Sequence, residues 1–330
     1  MWNVYFVEDT KTPLLLQAYE ALTEMEDAYL IWIKTDDILI CPSFKEPCAF
    51  ILGYFEGKTI EYVQSHQISI FGPQCILDYL RNDEVLPISK TLLFSTALKD
   101  VEVCFTGFSE EVKKELIDKV VMMHGTVSKD LNASVKILVS PSVGSRKYRE
   151  ATRSAIPVVL KDWIDNLWES SKETDPLDGM NKDLIERYQI PIFHNLHISV
   201  TGLSILEREE VKKIITKCGG FYNDNLTVGI CTHLIAMEAA GEKFECANKW
   251  KIETVNWKWL FDSVNKGYAC DENQYRLSSK ANVPGLVSRE NSNNKTLKSQ
   301  INNKLKIWTN CVIQFLIVKK DLLRKWKIHH

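Results

Sequence analysis

An internal repeat of about 95 residues constrains the fold of this chain more than any other feature of its sequence. Each copy contains a Thr-Gly pair, a lysine and a tryptophan, which are Thr106-Gly107, Lys147 and Trp163 in one copy and Thr201-Gly202, Lys243 and Trp259 in the other. Counted from the threonine, the lysine follows after 41 and 42 residues and the tryptophan after 57 and 58. Chance does not keep three such markers in step, so the chain contains at least two copies of one domain.

The pattern of each copy predicts the element order β-α-β-β-α-β-α. In the earlier copy we expect strands at 101–105, 126–129, 136–139 and 157–160, a helix between Val112 and Met123 ended by Gly125, a short helix at 146–154, and a last helix with Asp162 at its N-cap. Short apolar strands that alternate with helices indicate an α/β fold. We therefore predict that each copy is a small four-stranded parallel sheet flanked by helices.

The remaining sequence suggests a third, degenerate copy and a tail. Strands are predicted at 3–7, 29–33 and 37–41, no Thr-Gly follows the first of them, and the segment 48–67 is ambiguous between helix and strand. The predicted order is a degenerate domain without a phosphate pocket at 1–90, domains with a pocket at 99–172 and 194–278, a connector at 173–193, and a basic, mostly disordered tail at 279–330.

Charge and composition limit the classes of function. Ten basic and two acidic residues give segment 281–330 a charge of +8, so the net charge of −2 leaves −10 on residues 1–280. An acidic body is a poor sequence-independent DNA binder, so a bound anion is expected in a local pocket. The nine cysteines are scattered without a CxxC pair, which favours reduced thiols over a disulfide scaffold or zinc site. No apolar run is long enough to span a bilayer, and we expect an intracellular protein.

The repeated residues have the chemistry of a phosphate site. A threonine hydroxyl can donate a hydrogen bond, and a following glycine lets an oxyanion approach its backbone N–H closely. The helix that begins next directs its positive N-terminal end at the same point. Lys147 or Lys243 can supply a cation from the second helix, and Lys113 or Arg208, seven residues after each threonine, can supply another.

Simpler interpretations exist for each of these residues. A threonine before a helix is often only a capping or turn residue, and most lysines are solvated, but the same set twice in register favours phosphate binding. We assign Trp163 and Trp259 to the core and His233 to a structural role. No phosphate loop, HExxH or GxSxG motif is present, so we predict no enzyme, no cofactor, no metal site and no small-molecule substrate.

Several motifs together resemble the BRCT domain, and in particular the N-terminal triple-BRCT region of the DNA topoisomerase II-binding protein family. The resemblance covers about residues 3–277 and is carried by the segments FGPQ (71–74), MMHGTVSKDLNASVKILV (122–139), VGSRKY (143–148) and CTHLIAMEAAGEKFECANKW (231–250). The middle copy departs from the family pattern, because Lys136-Ile137 replaces Thr-His and Gly125-Thr126 replaces Gly-Gly.

The resemblance implies both a site and a setting. Phosphopeptide binding would fall to Thr106, Gly107, Lys113 and Lys147 in the middle copy and to Thr201, Gly202, Arg208 and Lys243 in the last. The implied partners are phosphorylated Ser/Thr tails of the checkpoint clamp and of a replication-initiation factor. The implied function is a non-enzymatic scaffold in DNA-damage signalling and replication, in the nucleus.

Two other functions stay open. One is the triple-BRCT regulatory module of a Rho guanine-nucleotide exchange factor in cytokinesis. That interpretation requires a Dbl-type exchange domain downstream of the BRCT domains, and we expect the 330 residues of this chain to have no room for one. The other is a phosphate-independent protein- or DNA-binding module, with weak DNA contact through the basic tail. That module predicts a salt-dependent DNA affinity that is lost when residues 281–330 are removed.

Overall fold

Three small parallel β-sheets, each flanked by helices, make up the part of the chain that the structure describes. The structure is a computed structural model, and it describes residues 2–25, 28–41, 43–44, 47–87, 92–172 and 178–277. We call the parts built on the three sheets the first, second and third domains. The predicted α/β class is confirmed, and the predicted tail at 279–330 lies outside the described residues.

The first domain contains five strands and four helices. In chain order they are β1 (Trp2–Val7), α1 (Pro13–Thr23), β2 (Ala28–Ile33), α2 (Thr35–Ile40), β3 (Cys48–Ile51), α3 (Lys58–Ser65), β4 (Ser69–Phe71), α4 (Pro73–Arg81) and β5 (Leu92–Leu93). The strand order is β2-β1-β3-β4-β5, and every pair is parallel. This sheet has one strand more than predicted, because β5 forms beyond residue 90.

The strand predicted at 37–41 is wrong, since these residues belong mostly to α2. Ile38 is fully buried while Ile40 is 79% exposed, so the apolar run does not lie within a sheet. The Asp9 carboxylate accepts a hydrogen bond of 2.7 Å from the Thr35 backbone N–H and satisfies a donor at the helix start. The third strand of this sheet comes instead from β3, in the segment that the sequence left ambiguous.

The second domain repeats the predicted element order. Its elements are β6 (Glu102–Phe105), α5 (Glu110–Met122), β7 (Thr126–Ser128), β8 (Val135–Val139), α6 (Arg146–Arg153), β9 (Val158–Val159) and α7 (Asp162–Ser170), followed by α8 (Lys182–Tyr188). The strand order is β7-β6-β8-β9. The N-cap predicted at Asp162 is wrong by one residue, because Lys161 is the N-cap and already has helical dihedral angles. Asp162 instead places its charge in the first turn, where a helix favours an acid.

The described part of the predicted connector is ordered against the second domain. Asn181 caps α8 by accepting hydrogen bonds from the backbone N–H groups of Asp183 and Leu184. The Ile190 backbone N–H donates to the Val158 carbonyl, which extends the sheet by a short antiparallel bridge. These contacts hold the chain up to Ile190 on the second domain.

The first and second domains share one apolar core. The chain divides into two compact bodies, of which one comprises residues 1–141 and 145–190. A single cluster of buried side chains runs through both domains of that body. Phe94 is a fully buried member of this cluster, and its ring lies 5.0 Å from that of Phe55 in the first domain and 4.7 Å from that of Trp168 in the second. The two domains of this body are therefore expected to unfold together.

The third domain, from Pro191 onward, has the same architecture. Its elements are β10 (His197–Thr201), α9 (Ile205–Lys217), β11 (Phe221–Asn223), β12 (His233–Ala236), α10 (Glu242–Lys249), β13 (Glu253–Asn256) and α11 (Trp257–Lys266). The strand order β11-β10-β12-β13 matches that of the second domain. The core assignments of Trp163 and Trp259 are confirmed, since both are fully buried. Among the described residues, no helix has the length and apolarity needed to cross a membrane.

We predict that Phe94→Ala lowers the free energy of unfolding of the first and second domains by about 3–5 kcal/mol, because it leaves a cavity in their shared core. Hydrogen exchange should become faster in β3 and β4 as well as in β6 and β8. Val85→Ala, at a residue that is 85% exposed, is the matched control and should change stability by less than about 0.5 kcal/mol. Faster exchange in one domain alone would show that the core is not shared.

Candidate functional site

The predicted threonine and glycine of the second domain lie at the end of β6, at the entrance to α5. Gly107 has a φ of 79°, in the left-handed region that favours glycine, so the chain can turn sharply there. Ser109 then caps α5, with its hydroxyl accepting from the Val112 backbone N–H. The helix α5 therefore begins four residues after Thr106.

We call the region where β6 ends and α5 begins the corner of this domain. A small surface cavity of about 170 Å³ lies there. Its lining residues are Phe105, Thr106, Gly107, Phe108, Glu110 and Lys113. Three of the four residues predicted for this site therefore line one cavity. The fourth, Lys147, is not among the lining residues.

Lys147 is bound to the carbonyl group that precedes Thr106. Its Nζ donates to the Phe105 carbonyl at 3.1 Å and contacts Cys104 Sγ at 3.3 Å. It also donates to the Lys129 carbonyl, in the loop after β7. The half-buried ammonium is thus one peptide unit away from the Thr-Gly pair.

Ser145 is a residue of this corner that the sequence analysis missed. It caps α6 by accepting from the Tyr148 backbone N–H, and its Oγ lies 3.5 Å from the Thr106 Oγ1. The two hydroxyls connect the end of β6 with the start of the helix that carries Lys147. A serine two residues before that lysine is an ordinary N-cap signal, which could have indicated it.

The third domain builds the same corner from different residues. Gly202 has a φ of 77°, and Ser204 forms a capping box with Glu207 at the start of α9. Lys243 Nζ donates to the Val200 carbonyl at 3.3 Å, to the Asp224 carbonyl at 2.6 Å and to Ser199 Oγ at 3.3 Å. Its acceptors therefore match those of Lys147, with a serine hydroxyl in place of the thiol.

Arg208 is held at the rim of this corner. Its Nε donates to the Leu203 carbonyl at 3.0 Å, in the turn between β10 and α9. The pKa of Lys243 lies below its ordinary value, first because of burial and second because of repulsion from Arg208. Two cations thus raise each other's electrostatic energy, and an anion bound near both would lower it.

The first domain has different side chains at the matching positions. The lysine is the second residue of an eight-residue helix in the other two domains, whereas α3 has Thr59 there, buried and donating to the Thr35 hydroxyl at 2.9 Å. After β1 the chain continues with Glu8 and Asp9 in place of a glycine turn. The first domain thus has neither the lysine nor the glycine turn at these positions, and its predicted lack of a pocket stays a prediction.

His233 has a structural environment, as predicted. It is buried, its ring stacks on that of Trp259 with the centroids 5.1 Å apart, and its two ring nitrogens contact Thr232 and Glu272. No group of three or more His, Cys, Asp or Glu residues that could hold a metal ion occurs within the part of the chain that the structure describes.

Comparison with known protein families identifies the fold. The model of the BRCA1 C Terminus (BRCT) domain matches residues 94–168, and that of the twin BRCT domain matches residues 196–259. The second and third domains are therefore BRCT domains.

Two curated relatives have similar sequences, and the first of them confirms the resemblance to the multi-BRCT region of the topoisomerase II-binding protein family. The S-M checkpoint control protein rad4 of Schizosaccharomyces pombe is 28% identical over 195 residues, which is 58% of this chain and 30% of that protein. Protein ECT2 of Homo sapiens is 28% identical over 250 residues, or 74% of this chain and 26% of that protein. This chain thus spans between about a quarter and a third of the length of these curated relatives.

One solved structure connects the fold with a ligand. The crystal structure of Rad4 BRCT1,2 in complex with a Crb2 phosphopeptide is 26% identical in sequence and superposes with a TM-score of 0.51. The match covers 56% of this chain and all of that one. A second structure of the same Rad4 fragment, with an Mdb1 phosphopeptide, matches equally well.

We predict that Arg208→Gln raises the pKa of Lys243 towards its ordinary value of 10.5, because it removes a repulsive charge. Folding lowers the pKa of this lysine, so at pH values between its folded-state and unfolded-state pKa the unfolded chain binds more protons than the folded one. Stability therefore rises with pH across that window, and the penalty is fully present below it.

In the Arg208→Gln variant, the pH range between the folded-state and unfolded-state pKa values of Lys243 should become narrower. The rise in the free energy of unfolding across that range should therefore become smaller. NMR titration of the Lys243 side chain and unfolding at several alkaline pH values measure both effects. Lys217→Gln, an exposed lysine at the end of the same helix, is the charge-matched control. An unchanged Lys243 pKa in Arg208→Gln would show that the two cations do not interact.

Proposed function

We propose that this chain is a non-enzymatic scaffold that binds phosphoserine and phosphothreonine segments of checkpoint and replication proteins in the nucleus. The observation that carries the proposal is the corner built twice, in which a lysine is hydrogen-bonded to the carbonyl just before a Thr-Gly pair and a helix begins beside them. The phosphopeptide complexes of the similar Rad4 fragment support it.

In the proposed complex of the second domain, the phosphate occupies the cavity lined by Thr106, Gly107 and Lys113. The Thr106 hydroxyl and the backbone N–H groups at the start of α5 donate to its oxygens, and Lys113 balances its charge. A lysine ammonium has three donors, and those of Lys147 contact two carbonyls and one thiol. Turning one N–H from the thiol, a weak acceptor, to a phosphate oxygen costs little and adds a charge-assisted bond.

In the third domain, the proposed phosphate binds near Lys243 and Arg208. It would relieve the repulsion that lowers the pKa of Lys243, so binding is expected to raise that pKa. The hydroxyl of Ser199 is the acceptor that Lys243 would exchange for a phosphate oxygen. This site is proposed on electrostatics and on its correspondence with the second domain.

The partners that we propose are phosphorylated Ser/Thr tails, including those of the checkpoint clamp and of a replication-initiation factor, as the family resemblance implies. Fission yeast Rad4 binds phosphopeptides of Crb2 and Mdb1 through its first two BRCT domains. Segments of that chemistry are the reasonable first probes for this chain. A contribution of the basic tail to DNA contact stays a prediction, because the tail lies outside the described residues.

A second candidate function is the regulatory module of a Rho guanine-nucleotide exchange factor. The similarity to Protein ECT2, which extends over 74% of this chain, favours it. It is the less direct candidate, since it leaves the duplicated corner without an assigned ligand. It predicts that the chain slows nucleotide exchange by a Dbl-type domain added in trans, whereas a pure scaffold has no effect in that assay.

We predict that Lys147→Gln and Lys243→Gln each weaken phosphopeptide binding by about 1.5–3 kcal/mol at their own domain, the scale of a charged hydrogen bond. Glutamine keeps an N–H donor for the backbone carbonyls while it removes the charge, so the fold should be retained. Fluorescence anisotropy with matched phosphorylated and unphosphorylated Crb2 peptides measures the effect.

Two exposed lysines serve as controls of equal charge change. Lys136→Gln on β8 and Lys249→Gln at the far end of α10 should leave the affinity nearly unchanged. Equal affinity of the unmodified chain for phosphorylated and unphosphorylated peptides would remove the proposed function.

A further inference from the structure

The two corners differ at the residue that begins the first helix. Glu110 is the first residue of α5 and Ile205 the first residue of α9. Each lies three positions before the cation at the rim, Lys113 or Arg208, and side chains at this spacing are neighbours on one helix face. The helix start beside the site is therefore acidic in the second domain, at Glu110, and apolar in the third, at Ile205.

In the second domain, Glu110 faces the cavity. It lines the cavity together with Thr106, and its carboxylate lies 3.9 Å from Lys113 Nζ. Its side chain is 89% exposed, so a bound peptide can reach it. The next residue, Glu111, is engaged elsewhere, because hydrogen bonds from its own backbone N–H and the Ser109 hydroxyl lower its pKa. Glu110 is thus the carboxylate available to a positively charged neighbour of the phosphate.

In the third domain, two large aliphatic side chains stand in the corresponding place. Ile205 and Leu206 are each 81% exposed, in the first turn of a helix whose start is fixed by a capping box. Adjacent exposed aliphatic residues on a rigid helix end favour contact with an apolar group. The next turn of the helix carries Arg208, so this apolar pair continues directly into the proposed anion site.

We propose that the two corners select different neighbours of the phosphorylated residue. The second domain selects phosphopeptides with a lysine or arginine beside the phosphoresidue, because Glu110 offers an exposed carboxylate there. The third domain selects phosphopeptides with an apolar residue at that place, which packs on Ile205 and Leu206. This inference rests on the proposed function and adds to it the class of ligand for each domain.

The test uses the full chain with phosphate binding weakened in one domain at a time. Lys243→Gln leaves the second domain as the binding domain, and Lys147→Gln leaves the third. The probes are three phosphothreonine peptides that are identical except for lysine, leucine or alanine on both sides of the phosphothreonine, each with an unphosphorylated copy. Fluorescence anisotropy gives the affinities at low and high salt.

In the Lys243→Gln chain we expect the lysine peptide to bind about two- to fivefold more tightly than the leucine peptide, the range of an exposed ion pair. High salt should weaken this preference. In the Lys147→Gln chain we expect the leucine peptide to bind about three- to tenfold more tightly, with little dependence on salt, because burial of apolar surface drives it.

Exchange variants assign the preferences to the two residues. Glu110→Ile should abolish the lysine preference of the second domain, and Ile205→Glu should abolish the leucine preference of the third. Both positions are exposed first-turn residues, so the fold should tolerate either change. Asp118→Ile, further along α5, and Val228→Glu, at a residue that is 59% exposed in the third domain, are the controls and should change neither preference.

The outcomes separate this inference from the function on which it rests. Binding that depends on phosphate but shows the same neighbour preference in the Lys243→Gln and Lys147→Gln chains, or a preference that survives the exchange variants, overturns the inference and leaves the proposed function standing. Equal binding of phosphorylated and unphosphorylated peptides overturns both.

Discussion

In the second and third domains, one lysine ammonium fixes the geometry of the whole candidate site. It connects the helix that carries it to the end of an inner strand and to the loop after the edge strand, through two backbone carbonyls in each case. These contacts also hold a positive charge one peptide unit from the Thr-Gly turn. The same bonds that complete the fold therefore prepare the corner for an anion.

Around this common contact, the two domains have different electrostatic surroundings. In the second, Lys113 has Glu110 as a neighbour, whereas in the third Arg208 and Lys243 repel each other and lower the pKa of the lysine. Exchanging one exposed first-turn residue, Glu110 or Ile205, is expected to change the charge beside the site and to leave the fold of the domain unchanged. A duplicated domain can diverge in ligand preference in this way while its core stays the same.

The first domain has kept the sheet and changed the corner. Thr59 replaces the lysine, and Asp9 is bound to the start of α2, a contact that lowers the pKa of its carboxylate. Its buried side chains continue into the core of the second domain around Phe94. In this structure the first domain thus supports the second through apolar packing.

The sequence by itself determined the α/β class, the duplicated element order and the two threonine-glycine turns, because strand alternation, helix periodicity and a repeat in register are local properties of the chain. Only the tertiary structure decided that residues 37–40 are helical, since Asp9 satisfies a backbone donor at the start of that helix. It also placed Ser145 beside Thr106, and each lysine behind its turn. These contacts join residues about 26 to 43 positions apart, and the spacing along the chain does not say which acceptor a side chain will reach once the strands and helices pack.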